Sequence, residues 1–265
     1  MRGITWFSIA TILGAPGGAA ARNPETGFLN RSLQSGDEIR NYQVYVPREY
    51  TPERRWPVIL FLHGSGERGD DGILPTEIGI GTALRRHPDR WPAIVVFPQA
   101  RPVSRWSGRD AEDALAALDA TLREFSTDPD RVYLTGLSRG GAGAWYLAYR
   151  NPERFAAVLV ACGRVRPADG PHEDVPDSDP VVPLADGDPF DALARRLSTL
   201  PIWIFHGDAD PIIPVQEARG LAAALERVHA PARYTELPGV GHGSWDAAFD
   251  SEDAIRWLFE QTRAD

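Results

Sequence analysis

The 265-residue chain predicts an α/β protein with a mostly parallel central sheet and helices on both faces. Three observations carry this. Short apolar runs bounded by glycine, proline and aspartate alternate with segments of helical period. One of those runs, Val132-Tyr133-Leu134, leads through Gly136-Leu137-Ser138-Arg139-Gly140 into the small-residue stretch Gly141-Ala142-Gly143-Ala144-Trp145, the pattern of a strand turning sharply into a helix. Hydrophobic residues make up 43% of the chain and charged residues 25%, which suits a globular protein with a sizeable core.

In chain order, residues 1–21 read as a targeting segment. Arg2 supplies a basic end, Ile4–Leu13 an apolar stretch and Gly14–Ala21 a small-residue tail, so cleavage is expected before Arg22. Residues 22–265 are expected to form one domain, since no stretch resembles a linker between two cores. A strand near Phe28–Leu33 should lead in. The apolar runs Tyr42–Val46, Val58–His63, Ala93–Pro98, Val132–Thr135, Ala157–Cys162, Ile202–His206 and Arg233–Leu237 supply the remaining strands. Between them, Ala111, Ala114, Leu115, Leu118, Leu122 and Phe125 share one helix face, and Val215, Ala218, Leu221, Ala222, Leu225 and Val228 another. Gly163–Asp191 is irregular, because Pro167, Pro171, Pro176, Pro180, Pro183 and Pro189 interrupt any long helix. Only Phe190–Leu200 can form a short one, so a lipase-type lid is not expected.

The charge balance narrows the function classes. A formal net charge of −9 gives a field that attracts neither nucleic acid nor an anionic membrane. No segment has the apolar length for membrane insertion. A single cysteine, Cys162, excludes an intrachain disulfide, and its place after Phe155-Ala156-Ala157-Val158-Leu159-Val160 reads as a buried structural thiol. Small or neutral substrates fit better, and no feature sets an oligomeric state.

The chemistry gathers at the ends of the predicted strands. Ser138, on the strained turn between strand and helix, exposes a hydroxyl that needs a base and a group to orient that base. Downstream, Phe205-His206-Gly207-Asp208-Ala209-Asp210-Pro211 offers an acid just past a strand, and Gly239-Val240-Gly241-His242-Gly243-Ser244-Trp245 a histidine in a loop after the next strand. Asp210 is preferred to Asp208, which lies closer to the strand end and reads as a loop brace. His63 and His206 end strands beside glycine and read as structural turn residues. A buried strand also runs into His63-Gly64-Ser65-Gly66-Glu67-Arg68-Gly69, where the Ser65 N–H, with that of Arg139, would hold a developing oxyanion. Trp106 and Trp245 are candidate pocket walls, with core packing an equal alternative.

Two competing sites are weaker. Gly64-x-Gly66-x-x-Gly69 is a formal dinucleotide fingerprint, but it continues through Asp70-Asp71-Gly72 instead of opening a helix, so no cofactor is expected. His206, Asp208, Asp210 and His242 match no metal spacing, so no metal is expected either.

The elbow Gly-Leu-Ser138-Arg-Gly-Gly, the loop His63-Gly-Ser-Gly-Glu-Arg-Gly, the run His-Gly-Asp-Ala-Asp210-Pro and the run Gly-His242-Gly-Ser-Trp together resemble α/β-hydrolase esterases of the phospholipase/carboxylesterase and dienelactone-hydrolase-like group. Feruloyl esterases and polyhydroxybutyrate depolymerases are similar. Thr26-Gly-Phe-Leu-Asn-Arg and Tyr42-Gln-Val-Tyr-Val-Pro extend the resemblance over residues 26–262. It implies the α/β-hydrolase fold and a serine hydrolase that cleaves short-chain or aryl carboxylic esters through an acyl-enzyme; the expected leader of residues 1–21 points to a secreted or periplasmic location, with a cytoplasmic one the alternative. Ser138, Asp210 and His242 would form the triad, in the chain order of that fold. The nucleophile of dienelactone hydrolases proper is a cysteine, whereas this chain has Ser138. Peptidase or thioesterase action is the alternative on the same machinery, and a non-catalytic binding protein the alternative outside it.

Overall fold

The computed structural model describes residues 24–103, 105–167 and 180–263; the expected leader lies outside the described residues. Eight strands form one sheet: β1 (Gly27–Ser35), β2 (Glu38–Val46), β3 (Trp56–Leu62), β4 (Ile94–Pro98), β5 (Thr127–Leu137), β6 (Ala157–Ala161), β7 (Ile202–Gly207) and β8 (Ala232–Leu237). Their spatial order is β1-β2-β4-β3-β5-β6-β7-β8. The β1–β2 and β2–β4 pairs are antiparallel and every other pair is parallel. The mostly parallel sheet expected from the sequence is therefore present, with the lead-in strands forming its antiparallel margin.

Alternation along the central strands explains the two layers. Leu60, Leu134, Val160 and Ile204 face one apolar cluster, together with residues of α2 (Gly108–Glu124), α3 (Arg139–Arg150), α4 (Pro189–Arg196) and α5 (Gln216–Arg227). Ile59, Tyr133, Leu159 and Phe205 face the other, with α1 (Ile80–Arg86), α6 (Ser244–Asp250) and α7 (Glu252–Glu260). Strands buried on both faces read as continuous apolar runs, which is why periodicity finds them readily. Helix α4 matches the short helix expected within Phe190–Leu200; the Asp188 carboxylate caps it by accepting the Asp191 N–H at 3.1 Å. Helices α1, α6 and α7 were not anticipated, because the first two span only 7 residues each, too few to show a helical period.

The order of strands fixes where a ligand can bind. From β3 the chain crosses to β4 on one side and then to β5 on the other, so the progression reverses between β3 and β5. The loops leaving the carboxyl ends of these two strands diverge to opposite faces and leave a crevice, the usual binding position in open α/β sheets.

Candidate active site

The elbow stands at that crevice. Ser138 adopts φ 53°, ψ −119° between β5 and α3, a conformation costly for a side chain with a Cβ. Close packing enforces it. A Cβ on Gly140 would lie 2.0 Å from the Leu62 carbonyl oxygen, and one on Gly136 would lie 2.2 Å from the Gly140 oxygen. The Ser138 N–H donates to the Ala161 carbonyl at 3.0 Å, which ties the turn to β6.

Three predicted residues from three loops meet here. His242 Nε2 is 2.8 Å from Ser138 Oγ, and His242 Nδ1 is 2.8 Å from Asp210 Oδ2. The other carboxylate oxygen accepts the N–H groups of Ile212 and Ile213 at 2.8 and 3.0 Å. Burial pushes the Asp210 carboxyl up, but hydrogen bonds from His242 and the Ile213 and Ile212 N–H groups outweigh it and hold the group below its ordinary value. Asp208 points elsewhere and accepts the Gly239 N–H at 2.7 Å, joining the acid loop to the histidine loop.

The loop after β3 lies against the elbow. A Cβ on Gly64 would be 3.0 Å from Leu137 Cδ1 and 3.7 Å from Ser138 Cβ, so the Gly64-Ser65 segment flanks the nucleophile. Arg139 Nε donates to Ser65 Oγ at 2.7 Å, and Arg68 Nε to the Ser65 carbonyl at 2.9 Å. Thus the side chain of one expected oxyanion donor grips the other, a link that sequence spacing does not reveal. The loop does not open a helix of its own; the next helical turn is a short 3-10 segment at Leu74–Glu77.

The two tryptophans part company. Trp106 is 1% exposed and belongs to the core; its indole N–H donates to the His63 carbonyl at 3.0 Å, and a Cβ on Gly143 would lie 2.4 Å from its own. It props α3, the core placement that was one of the two alternatives expected for it. Trp245 is half-buried and meets the His242 ring edge-on, with centroids 5.3 Å apart. His63 is a buried turn residue, donating through Nδ1 to the Gly64 carbonyl at 2.7 Å and accepting the Ala100 N–H on Nε2 at 3.0 Å. Burial lowers its pKa to about 4.

Among the described residues, Cys162, Asp210 and His242 form a group whose ligand atoms lie within 4.8 Å of one another. As a metal cage it fits poorly. Both His242 ring nitrogens are already engaged, and burial pushes the Cys162 thiol up to about 12, far from the thiolate a metal needs.

The family model described as "Putative esterase" matches residues 34–252. Esterase LipC of Mycobacterium tuberculosis is 26% identical, over 85% of this chain and 61% of its own length. A protein of Arthroderma benhamiae named "Uncharacterized secreted protein" is 24% identical, over 76% of this chain and 22% of its own length. The crystal structure of a thermostable esterase superposes with a TM-score of 0.74 at 30% identity, covering 89% of this chain and 63% of that one. This chain thus spans less than two thirds of each of these relatives. Its architecture is the α/β-hydrolase fold.

Proposed function

We propose that this chain, which belongs to the Esterase family, is a serine hydrolase that cleaves carboxylic esters through an acyl-enzyme. The observation that carries the reading is the unbroken hydrogen-bonded line from Ser138 Oγ through both nitrogens of His242 to Asp210 Oδ2, each link 2.8 Å. In the first half-reaction Ser138 Oγ attacks the ester carbonyl carbon while its proton passes to His242 Nε2. The resulting oxyanion is held by the N–H groups of Ser65 and Arg139, each such donor being worth about 3 to 4 kcal/mol in the transition state. Collapse expels the alcohol, which takes the proton from His242. Water then enters, gives a proton to His242 and attacks the acyl carbon; the carboxylic acid leaves and Ser138 recovers its proton. Asp210 stays ionised throughout, holding the imidazole in the tautomer that accepts at Nε2.

Within this reading residues 22–265 act as one catalytic domain, with Trp245 beside the histidine as part of the pocket wall. Short, water-soluble or aryl esters suit the site best. Helix α4, 8 residues long, buries Leu193 fully in the core, so among the described residues the segment after β6 contributes no free amphipathic helix. Export after removal of residues 1–21 fits a relative named as secreted, and no helix among the described residues is long and apolar enough to cross a membrane.

Fluorophosphonate labelling followed by peptide mapping tests the nucleophile. The adduct is expected on Ser138, with Ser138→Ala unlabelled and its kcat down by about 10⁶-fold; an adduct on another serine overturns the assignment. A panel of nitrophenyl esters of rising chain length, with matched thioester and amide substrates, tests the class. Hydrolysis of short esters is expected to exceed that of amides and thioesters, with no jump in rate at the solubility limit. Ser65→Ala should lose less than about tenfold and Ser65→Pro nearly everything, since only proline deletes the N–H.

A further inference from the structure

His206 is the penultimate residue of β7, and its side chain is wholly buried. Its Nε2 lies 2.9 Å from the Ile213 carbonyl oxygen and 3.3 Å from Asp210 Oδ2. Two acceptors face that nitrogen, so it carries the ring hydrogen. Nδ1 is buried with no hydrogen-bond partner. Leaving a buried ring nitrogen unsatisfied costs free energy, and turn formation alone does not require a histidine here.

We infer that His206 is a positioning residue for the acid of the reaction proposed above: its single Nε2–H, shared between the Ile213 carbonyl and Asp210 Oδ2, fixes the carboxylate in the orientation that His242 meets. The inference rests on that reading. An aspartate carboxylate turns easily about its last torsion, and backbone N–H groups secure only Oδ1 of Asp210. His206 brings a second ring N–H to within 3.3 Å of Oδ2, beside that of His242. By holding the Ile213 carbonyl it also closes the 207–213 loop, which presents the Ile212 and Ile213 N–H groups to Oδ1. The i, i+4 spacing of His206 and Asp210 was visible in the sequence, but a histidine beside glycine at a strand end reads equally well as a plain turn.

Other ionisable groups face the same place. Across the sheet His206 pairs in register with Glu236, which hydrogen bonds from Arg219 and Tyr234 hold down at about 2. Cys162, at the end of β6, is pushed up to about 12 by burial. Neither changes charge between pH 5 and 9, so neither shapes a pH–rate profile in that range.

His206→Phe keeps the volume and removes the donor, whereas His206→Gln returns an N–H close to the position of Nε2. With p-nitrophenyl acetate, His206→Phe should lower kcat about ten- to a hundredfold and leave KM within about twofold. The acidic limb of kcat/KM should move up by roughly half a pH unit or more, because a carboxylate with one donor fewer holds the pair's proton more tightly. His206→Gln should restore most of kcat and the limb. A folded His206→Phe with unchanged kcat and limb overturns the inference, as does a limb that stays fixed while both variants lose only thermal stability. Nitrogen-15 NMR of histidine-labelled wild type supports it if the His206 hydrogen is on Nε2 and overturns it if the hydrogen is on Nδ1, whether or not a variant folds. A wild type inert toward every ester fails the parent reading instead, and the ring-nitrogen assignment still decides the contact.

Discussion

A Cβ added at Gly140, in the elbow, would lie 2.0 Å from the Leu62 carbonyl oxygen, whereas one added at Gly66, in the loop facing it, would meet nothing within 4 Å. Both segments are glycine-rich and both flank Ser138, yet they keep their shape by different means. In the elbow, backbone packs on backbone, and the strain at Ser138 is borne by contacts that leave no room for side chains. The 63–72 loop is held by polar side chains from outside it. Gln99 accepts the Gly72 N–H at 2.6 Å and donates to the Glu67 carbonyl at 2.9 Å, and Arg40 donates to the Gly69 carbonyl at 3.2 Å. At Gly140 the backbone is fixed by exclusion, whereas around Gly66 it is held by hydrogen bonds with open space beside it, so substitutions at the two positions should differ.

The largest effect is expected for Gly140→Ala. The obstructing atoms are main-chain carbonyls of β3 and its following residue, which cannot swing aside as a flexible side chain could, so either strand or helix must shift. Urea denaturation should show a loss of at least about 3 kcal/mol, together with the loss of ester turnover. A variant that keeps both would show that the elbow tolerates a Cβ and that the contrast between the loops is false.

Next comes a pH effect confined to the other loop. Burial lowers the His63 pKa from 6.5 to about 4, so between those values the unfolded chain binds a proton that the folded chain does not. Stability from this group is therefore complete above about pH 6.5 and falls as pH drops toward 4, by about 3 kcal/mol in all. His63→Asn should be less stable at pH 7, because the Ala100 N–H loses its acceptor, but its stability should fall less steeply from pH 6.5 to 4. Parallel stability curves for the two proteins, from denaturant melts at each pH, would show that His63 does not titrate as its burial requires.

Gly66→Ala should do least. Its backbone needs no left-handed conformation and its Cβ enters open space, so stability should stay within about 0.5 kcal/mol and turnover within about twofold. A large loss would mean that the loop also needs backbone freedom at this position.

What could be read in advance follows the same division. Each expected strand is found: the central strands because residues buried on both faces leave apolar runs, while β1 and β8 at the sheet edges are only partly buried. The grouping of Ser138, Asp210 and His242 was also legible, since a nucleophile on a strand-to-helix turn and two later loop residues must come to the same sheet edge once the strands are parallel. Helices α1 and α6 escaped for want of length. Trp106 was left open between pocket and core because an aromatic residue after a strand looks the same in either place.

The sequence by itself determined the order of the strands along the chain, the faces they bury, the turn that strains Ser138 and the chemical types brought to the carboxyl edge, because each of these is written in local period and in the steric needs of glycine. Only the tertiary structure decided that Asp208 braces the histidine loop, that Arg139 grips Ser65, that Trp106 props α3 and that His206 Nε2 lies 2.9 Å from the Ile213 carbonyl oxygen and 3.3 Å from Asp210 Oδ2. Those are contacts between residues far apart in the chain, or between loop residues whose side-chain directions are set by what packs around them. Hydrogen bonds of this kind depend on distances of a few tenths of an ångström, and residue identity and spacing along a chain do not fix such distances.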